Sequence, residues 1–280
     1  MLVYRTFDEM RGFLDLQSEK GCKIGFVPTM GALHDGHVSL LETSKKQCDI
    51  TVCSVFVNPT QFTNSQDLAS YPRTESADLE MLESVQCDVA FLPNVDEVYP
   101  MDYTVSPVNL GGLDNVMEGA FRPGHFDGVV QVVWRFFEQI RPDKAFFGEK
   151  DFQQLAIIKR LVEEKNSKIE IVPCPILREK SGLAMSSRNV RLSDSGRSQA
   201  AFVYSKLLEA KSASEKQLPA EIVESVKEDF ALRDTFKLEY FEICDIQFLQ
   251  PVTTFNQPAR AFIALELEGV RLIDNIALNY

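Results

Sequence analysis

Residues 23–37 read KIGFVPTMGALHDGH, a β-rich run followed by a turn with two glycines and two histidines. The run from Lys23 to Val27 predicts a strand, and a helix is expected to begin near His37. Gly31 and Gly36 permit tight turns and a close approach of the backbone to a ligand. Because a helix N-terminus presents unpaired N–H groups and a positive dipole end, the segment predicts a phosphate site.

The two imidazoles of this turn belong to His34 and His37. Both can donate hydrogen bonds to phosphate oxygens, and the negative charge of a phosphate favours the charged form of an imidazole. The chain has only three histidines, and the third, His125, lies in another glycine-containing turn. The pattern lacks the glutamate of an H-E-x-x-H zinc helix. An accidental pair of histidines, or half of a metal site, is the alternative interpretation.

Short β-rich runs continue along the chain and alternate with helical stretches. After the first run they cover residues 50–57, 88–92, 144–147 and 169–173. This alternation predicts an α/β fold with a parallel sheet and crossover helices. The segment from Gly128 to Ile140 has apolar residues at helical spacing and predicts one of these helices.

The character of the sequence changes after Arg178. Polar turn residues continue to Arg191, and Ser193 then predicts a helix N-cap. The later elements expected are a helix at 220–230 and strands at 236–240 and 262–267. We therefore expect a boundary near Ile176, with a first domain at residues 1–176 and a smaller α+β domain at 177–280.

Composition limits the class of protein. The formal net charge of −12 opposes sequence-independent binding of nucleic acid, which requires a basic face. The six cysteines are scattered singly, which is typical of free thiols in a reducing compartment. Charged residues interrupt the apolar N-terminal segment, and no stretch approaches the roughly 18 apolar residues of a membrane span. We expect a cytoplasmic protein without a nucleic-acid or membrane partner.

A second polar cluster runs from Gly148 to Asp151, where a predicted apolar strand ends. Lys150 is well sited there for phosphates. Since ligands of open parallel sheets bind beyond the carboxyl ends of the strands, His34, His37 and Lys150 are expected to converge on one crevice. A solvated lysine that caps a loop is the alternative.

A third cluster, Met185 to Asn189, reads as a mobile polar loop. The hydroxyls of Ser186 and Ser187 and the guanidinium of Arg188 suit closure over a triphosphate. An ordinary exposed loop is the alternative. Near the end of the second predicted strand, Gln61 offers both a donor and an acceptor to a substrate with hydroxyls and a carboxylate, although turn glutamines are usually just solvated.

Together these segments resemble the pantothenate synthetase family. In chain order the shared motifs are P-T-M-G-A-L-H-x-G-H, V-N-P-x-Q-F, Y-P-R-T, R-P-G-H-F-x-G-V, F-F-G-E-K-D-F-Q-Q, G-L-A-M-S-S-R-N and R-L-I-D-N. They extend over nearly the whole chain. The combination is specific, whereas H-x-G-H alone marks a wider nucleotidyl-transferring superfamily.

The resemblance implies a Rossmann-like N-terminal domain that binds ATP and pantoate, a smaller C-terminal lid domain, and a homodimer. Gln61 and Gln154 are implied to bind pantoate, Gln61 also serving β-alanine. Asp78 is implied to lie near a Mg²⁺ bound to the phosphates, and His37 to be a proton donor. The positions implied to surround ATP are Met30, Gly31, Ala32, Leu33, His34, Asp35, Gly36, His37, Gly148, Glu149, Lys150, Asp151, Leu177, Met185, Ser186, Ser187 and Arg188.

The reaction implied by the resemblance has two steps. A pantoate carboxylate oxygen attacks the α-phosphorus of ATP and expels pyrophosphate, and the amine of β-alanine then attacks the acyl carbon of pantoyl adenylate and releases AMP. His34, His37 and Lys150 are implied to stabilise the charge on the phosphates, together with the polar residues of the third cluster.

Two other functions stay open at this point. A nucleotidylyltransferase acting on a phosphorylated acceptor could use the same H-x-G-H turn, although Gln61 and Gln154 suit a small hydroxy acid better. A non-catalytic nucleotide-binding module is the second alternative. The presence of all three phosphate-facing clusters argues against it.

Overall fold

In the computed structural model, which describes residues 1–101 and 103–279, the chain divides into two units. The first consists of Met1–Glu149 and Gln153–Pro175, and the second of Lys150–Phe152 and Ile176–Tyr280. Each unit has its own sheet. That residues 1–176 and 177–280 are separate domains stays a prediction.

The first unit is built on a parallel sheet. Its strands are β1 (Leu2–Tyr4), β2 (Ile24–Thr29), β3 (Ile50–Val55), β4 (Val89–Phe91), β5 (Lys144–Gly148) and β6 (Glu170–Cys174). The strand order in the described residues is β1-β4-β3-β2-β5-β6, with every pair parallel. The predicted parallel α/β fold is therefore confirmed. Strand β1 was not predicted, because its short, largely exposed run gives no clear strand pattern.

Helices connect these strands. Their bounds are α1 (Phe7–Glu19), α2 (Asp35–Gln47), α3 (Ser65–Ser70), α4 (Glu75–Ser84), α5 (Val95–Val98), α6 (Met117–Phe121), α7 (His125–Ile140) and α8 (Phe152–Glu164). Short 3₁₀ helices cover Pro59–Gln61 and Glu149–Asp151. The predicted helix at 128–140 is confirmed as part of α7, which begins after Gly124 in the left-handed conformation. Helix α2 begins at Asp35, slightly before the expected start near His37.

Helix α7 is fixed to the sheet by an aromatic cluster around Phe136. Its ring centroid lies 5.7 Å from that of Phe26, 6.0 Å from Phe56, 6.1 Å from Phe7 and 6.2 Å from Phe91. All four pairs meet edge to face, the geometry that the aromatic quadrupole favours. Side chains from α1, β2 and β4, and from the end of β3, thus converge on one helix residue and set the position of α7.

The second unit combines an antiparallel sheet with helices. Its strands, in spatial order, are β7 (Phe236–Asp245), β8 (Ala259–Leu267) and β9 (Val270–Ala277). Its helices are α9 (Asp194–Ala213) and α10 (Pro219–Ala231). The predicted α+β composition is confirmed. Ser193 caps α9, as predicted, by accepting a hydrogen bond from Gly196 N.

Strand β9 was not predicted as a strand. It follows β8 through a tight turn in which Glu268 and Gly269 have φ of 52° and 74°. These left-handed values suit a two-residue hairpin turn, but Glu-Gly is a weaker hairpin signal than Asn-Gly or Asp-Gly. Throughout residues 1–101 and 103–279, every helix is too short or too polar to cross a membrane.

Lys150–Phe152 groups with the second unit, although the sequence division assigned it to the first domain. Asn275 Nδ2 donates a 2.9 Å hydrogen bond to the main-chain oxygen of Lys150. The Phe152 ring lies 5.8 Å from the ring of Phe262, and the Arg260 guanidinium lies 4.2 Å from the Phe152 centroid. These contacts join residues far apart in the chain, so local sequence patterns could not reveal them.

Close packing between α7 and the 3₁₀ turn at Pro59–Gln61 depends on Gly128. A Cβ at this position would lie 2.4 Å from the main-chain oxygen of Thr60 and 2.6 Å from Gln61 N. Both atoms belong to the backbone, which cannot rotate away as a flexible side chain would. The contact therefore requires glycine.

We expect Gly128→Ala to lower the free energy of unfolding by about 1–3 kcal/mol, because the added methyl group overpacks this contact. Gly12→Ala is the matched control, since Gly12 also lies in a helix and its Cβ would meet nothing within 4 Å. That control should be neutral or stabilising by up to about 1 kcal/mol. Urea denaturation measures both variants, and equal stability of the two would contradict the proposed close contact.

Candidate functional site

The turn between β2 and α2 has an unusual backbone. Gly31 and Ala32 have φ of 79° and 48°, so two consecutive residues are left-handed. A Cβ on Gly31 would lie 3.0 Å from both Asp78 Oδ2 and Val55 Cγ1. Glycine is thus required at residue 31 by conformation and by space. An alanine at φ of 48° is uncommon and needs stabilising contacts from its surroundings.

Those contacts come from Asp78 on helix α4. Its Oδ2 accepts a 3.0 Å hydrogen bond from Ala32 N, and its Oδ1 accepts bonds from Leu33 N at 2.7 Å and Thr74 Oγ1 at 3.2 Å. The residue is only 2% exposed. A buried carboxylate needs such donors to compensate for its lost hydration. Asp78 therefore shapes the turn, a role that sequence reasoning missed because 45 residues separate Asp78 from Leu33.

Asp78 does not fit the role of a direct Mg²⁺ ligand. Both of its carboxylate oxygens accept backbone N–H groups, whereas Mg²⁺ prefers an octahedral set of waters, carboxylates and phosphate oxygens. In the part of the chain that the structure describes, no three His, Cys, Asp or Glu side chains form a group suited to a metal ion.

The histidine pair caps helix α2. His34 is the N-cap residue, and its Nδ1 accepts a 3.1 Å hydrogen bond from Gly36 N. His34 N donates to His37 Nδ1 at 3.3 Å, and the two ring centroids are 4.0 Å apart. Because Nδ1 is the acceptor in each ring, the neutral rings carry their proton on Nε2. Both rings are half-buried, and Nε2–H is the group of each that can donate to an anion.

The cap also changes the expected set of phosphate donors. Gly36 N is bonded to the His34 ring, and His37 N donates to the His34 main-chain oxygen at 2.7 Å. The sequence prediction relied on unpaired N–H groups at the start of the helix, but these two are used within the cap. The predicted anion site at this turn therefore depends on the imidazoles and the helix dipole.

Gln61 lies in the 3₁₀ turn that follows β3 and is 8% exposed. Its Oε1 accepts a 3.1 Å hydrogen bond from Asn58 Nδ2, and its Nε2 lies 3.2 Å from Met30 Sδ. The structure thus brings together two residues that the sequence assigned separately, Gln61 to the acid substrate and Met30 to ATP. The solvated turn glutamine of the alternative interpretation is excluded by this burial.

Asn58, the asparagine of the V-N-P-x-Q-F motif, supports Gln61. It is 1% exposed, and its Nδ2 donates to Gly128 O at 3.1 Å as well as to Gln61. Its Oδ1 accepts a 2.7 Å bond from Tyr99 Oη. Burial raises the pKa of Tyr99, so the phenol stays protonated and remains a donor. The Gln61 carboxamide is therefore oriented by a chain of buried polar contacts.

The adjacent glutamines of α8 differ in their surroundings. Gln153 is buried, with its Nε2 donating to the main-chain oxygens of Leu113 and Val116 at 2.7 and 2.8 Å. Its Oε1 accepts from Glu118 N at 3.0 Å. Gln154 is only half-buried. Gln153 is thus structural, and Gln154 stays the predicted substrate ligand of the pair.

The sequence-predicted cluster at Gly148 to Asp151 is divided between the units. Gly148 and Glu149 belong to the first, whereas Lys150 and Asp151 belong to the second. The Lys150 side chain is 17% exposed, and its Nζ lies 3.7 Å from Asp151 Oδ1. Convergence of Lys150 with the histidine pair stays a prediction.

The third cluster contains a short helix where the sequence predicted a polar loop. Ser187–Arg191 forms a 3₁₀ helix, and Ser186 Oγ caps it by accepting a 3.3 Å bond from Arg188 N. Asn189 is 2% exposed and Ser187 is 8% exposed. Met185 N donates to the main-chain oxygen of Leu177 at 3.0 Å, which joins two predicted ATP positions.

The segment before this cluster is anchored by Arg178. Its guanidinium forms two hydrogen bonds to the Asp274 carboxylate, at 2.6 and 3.0 Å, and lies 3.8 Å from the Tyr204 ring centroid. Such a bidentate pair fixes orientation as well as distance. Asp274 and Asn275 are the last two residues of the R-L-I-D-N motif. Asp274 binds Arg178 and Asn275 binds the main chain of Lys150, which gives both positions a structural role.

Comparisons with known proteins agree with the motif resemblance. The family model described as pantoate-beta-alanine ligase matches residues 2–277. A pantothenate synthetase from Christiangramia forsetii is 50% identical over 282 residues, which cover 100% of both chains.

Solved structures give the same result. The crystal structure of pantothenate synthetase from Thermus thermophilus has a TM-score of 0.93 and 38% identity, and the match covers 99% of each chain. A pantoate-beta-alanine ligase from Francisella tularensis, complexed with beta-gamma ATP and beta-alanine, has a TM-score of 0.80 and 34% identity. That match covers 99% of this chain and 97% of the other.

We expect Asp78→Asn to lower the free energy of unfolding by about 1–3 kcal/mol, because the amide leaves a backbone N–H of the turn without an acceptor. Glu80→Gln, an exposed change on the same helix, should alter stability by less than about 0.5 kcal/mol. Urea denaturation compares the two. A stable Asp78→Asn variant that requires more Mg²⁺ for activity would instead assign the residue to the metal.

Proposed function

The chain belongs to the pantoate-beta-alanine ligase family, and we propose that it condenses pantoate with β-alanine through pantoyl adenylate, releasing pyrophosphate and AMP. The proposal is supported by the Asp78-stabilised turn, in which His34 and His37 cap the start of α2 through their Nδ1 atoms. The Francisella tularensis relative was solved with beta-gamma ATP and beta-alanine, which supports ATP and β-alanine as substrates here.

The first step activates the acid. A carboxylate is a poor acyl donor to an amine, so one carboxylate oxygen of pantoate attacks the α-phosphorus of ATP. The bond from that phosphorus to the bridging oxygen breaks, and pyrophosphate leaves with the electron pair. His34 and His37 donate from Nε2 to phosphate oxygens as negative charge accumulates, which lowers the barrier electrostatically.

The second step forms the amide. The neutral amine of β-alanine attacks the acyl carbon of the adenylate, and AMP leaves with the former carboxylate oxygen. One amine hydrogen is released to solvent as a proton as the C–N bond forms, and AMP leaves as the anion. The enzyme needs no nucleophile of its own, so its contribution is to orient the reactants and stabilise charge.

Gln61 is the proposed residue for the acid substrate. One hydrogen of its Nε2 faces Met30 Sδ, and a thioether is a weak acceptor. A substrate hydroxyl or carboxylate oxygen is a stronger acceptor and can take the place of the sulfur at little energetic cost. The Gln61 Oε1 remains bonded to Asn58, so the carboxamide keeps its orientation when the substrate binds. Gln154 is proposed as the second pantoate ligand.

The remaining assignments stay predictions. They concern the ATP contacts of Lys150, Asp151, Leu177 and Met185 to Arg188, and the delivery of Mg²⁺ with ATP. Assembly as a homodimer and location in the cytoplasm also stay predictions.

The adenylate mechanism predicts that ATP–pyrophosphate exchange requires pantoate but not β-alanine, because the first step is complete before the amine reacts. Release of AMP should require β-alanine. Incorporation of labelled pyrophosphate into ATP measures the exchange. A parallel reaction with a phosphorylated acceptor in place of pantoate tests the alternative function, a nucleotidylyltransferase. Formation of ADP and an acyl phosphate would contradict the proposal.

In the same assay, His37→Ala should reduce exchange by roughly 10²-fold or more, the effect of losing one donor to transition-state charge. Lys46→Ala is the matched control, because it removes an exposed positive charge from the same helix. Its exchange rate should be close to that of the unmodified protein. Equal rates for the two variants would remove His37 from the site.

A further inference from the structure

The third histidine is buried in a polar setting that the proposed reaction does not use. His125 is the first residue of α7 and is 6% exposed. Its Nδ1 lies 2.8 Å from the main-chain oxygen of Gln61, and its Nε2 lies 3.2 Å from Nη1 of Arg122. Both ring nitrogens therefore have defined partners.

These partners determine the protonation state of the ring. A carbonyl oxygen only accepts, so His125 Nδ1 carries the hydrogen of that bond. A guanidinium only donates, so Nε2 of the ring is the acceptor from Arg122. The ring that satisfies both contacts is the neutral Nδ1–H tautomer.

The tautomer of His125, protonated on Nδ1, differs from that of His34 and His37 at the start of α2, which are protonated on Nε2. His34 and His37 accept at Nδ1 and can donate from Nε2, whereas His125 donates from Nδ1 to the main chain of a distant turn. The Nδ1–H proton of His125 is committed to that main-chain oxygen. The residue is thus suited to holding protein atoms in position and unsuited to transferring a proton.

Gln61 is the residue that His125 positions. Its main-chain oxygen is bonded to His125, and its side-chain Oε1 is bonded to Asn58. The absence of a side chain at Gly128, one turn after His125 in α7, lets the same helix lie directly against Gln61 N. Asn58 in turn donates to the main-chain oxygen of Gly128. Backbone and carboxamide of Gln61 are therefore fixed by separate contacts, both of which depend on α7.

Arg122, which contacts His125, is itself held in place by an ion pair. Its Nη1 lies 3.6 Å from Glu118 Oε2, and the Glu118 side chain is 9% exposed. The ion pair keeps the guanidinium beside His125 Nε2 and so favours the Nδ1–H tautomer. Arg122 and His125 are two positions of the R-P-G-H-F motif, for which sequence analysis found no function.

We infer that His125, held as the Nδ1–H tautomer by Arg122, is a positioning residue that orients Gln61 for the acid substrate. The inference rests on the proposed function, because it takes Gln61 to bind pantoate. On this inference the R-P-G-H-F motif helps the protein to bind the acid substrate. All of the contacts involved lie within the first unit.

The kinetic experiment compares His125→Ala with His125→Asn. The amide nitrogen of asparagine can occupy the place of Nδ1–H and donate to Gln61 O, whereas alanine cannot. We expect His125→Ala to raise KM for pantoate about tenfold, equivalent to about 1.4 kcal/mol, with KM for ATP nearly unchanged. His125→Asn should restore most of the affinity for pantoate.

The Gln61→Ala variant distinguishes failure of the positioning role of His125 from failure of the proposed acid site. If Gln61→Ala raises KM for pantoate but His125→Ala does not, the positioning role is overturned and the acid site stands. If Gln61→Ala leaves KM for pantoate unchanged, the proposed acid site is wrong, and the inference fails with it. Equal increases of KM for ATP and pantoate in His125→Ala would indicate a general structural effect and would also overturn the inference.

Nuclear magnetic resonance tests the tautomer in the unmodified protein, so this test does not depend on the folding of any variant. A long-range ¹H–¹⁵N spectrum should show His125 Nδ1 as a protonated nitrogen and Nε2 as an unprotonated one. Arg122→Leu should reduce the population of this tautomer and raise KM for pantoate. A protonated Nε2 in the unmodified protein would overturn the inference.

Discussion

The buried carboxylate of Asp78 is the interaction on which the turn between β2 and α2 depends. Two consecutive left-handed residues at 31 and 32 are unfavourable for an ordinary chain, and hydrogen bonds from Ala32 N and Leu33 N to this carboxylate compensate for that cost. The burial of a negative charge is tolerated because several donors surround it. The next residue, His34, can then cap α2, so the geometry of the histidine pair follows from a contact made by another helix.

A second constraint links the hydrophobic core to the turn that contains Gln61, the residue proposed to bind the acid substrate. Phe136 packs α7 against the parallel sheet, and one end of the same helix carries His125 and Gly128. Both of these residues contact the turn that contains Gln61. Hydrophobic packing thus fixes helix α7, and the polar N-terminal end of that helix orients Gln61, the residue proposed to bind the substrate. Rigid support of this kind is what positional catalysis requires, because small displacements of a reacting group reduce the rate strongly.

Local patterns predicted much of this arrangement. The parallel sheet, the core of α7 and the cap at Ser193 follow from periodicity and capping chemistry, which act over a few residues. The role of Asp78 could not be predicted in this way, since it depends on a contact across 45 residues. The grouping of Lys150 with the second unit depends on Asn275, which lies 125 residues later. Gln61 was identified from its donor and acceptor groups, but its orientation required the positions of Asn58 and His125.

Transfer of isotope from pantoate to AMP distinguishes attack on the α-phosphorus of ATP from attack on the γ-phosphorus. Pantoate labelled with ¹⁸O in its carboxylate is incubated with ATP, Mg²⁺, β-alanine and the protein, and the products are analysed by mass spectrometry. If the carboxylate attacks the α-phosphorus, one labelled oxygen appears in the phosphate of AMP, and pyrophosphate carries none. Labelled inorganic phosphate together with ADP would contradict the account, because it would mean that the carboxylate attacks the γ-phosphorus.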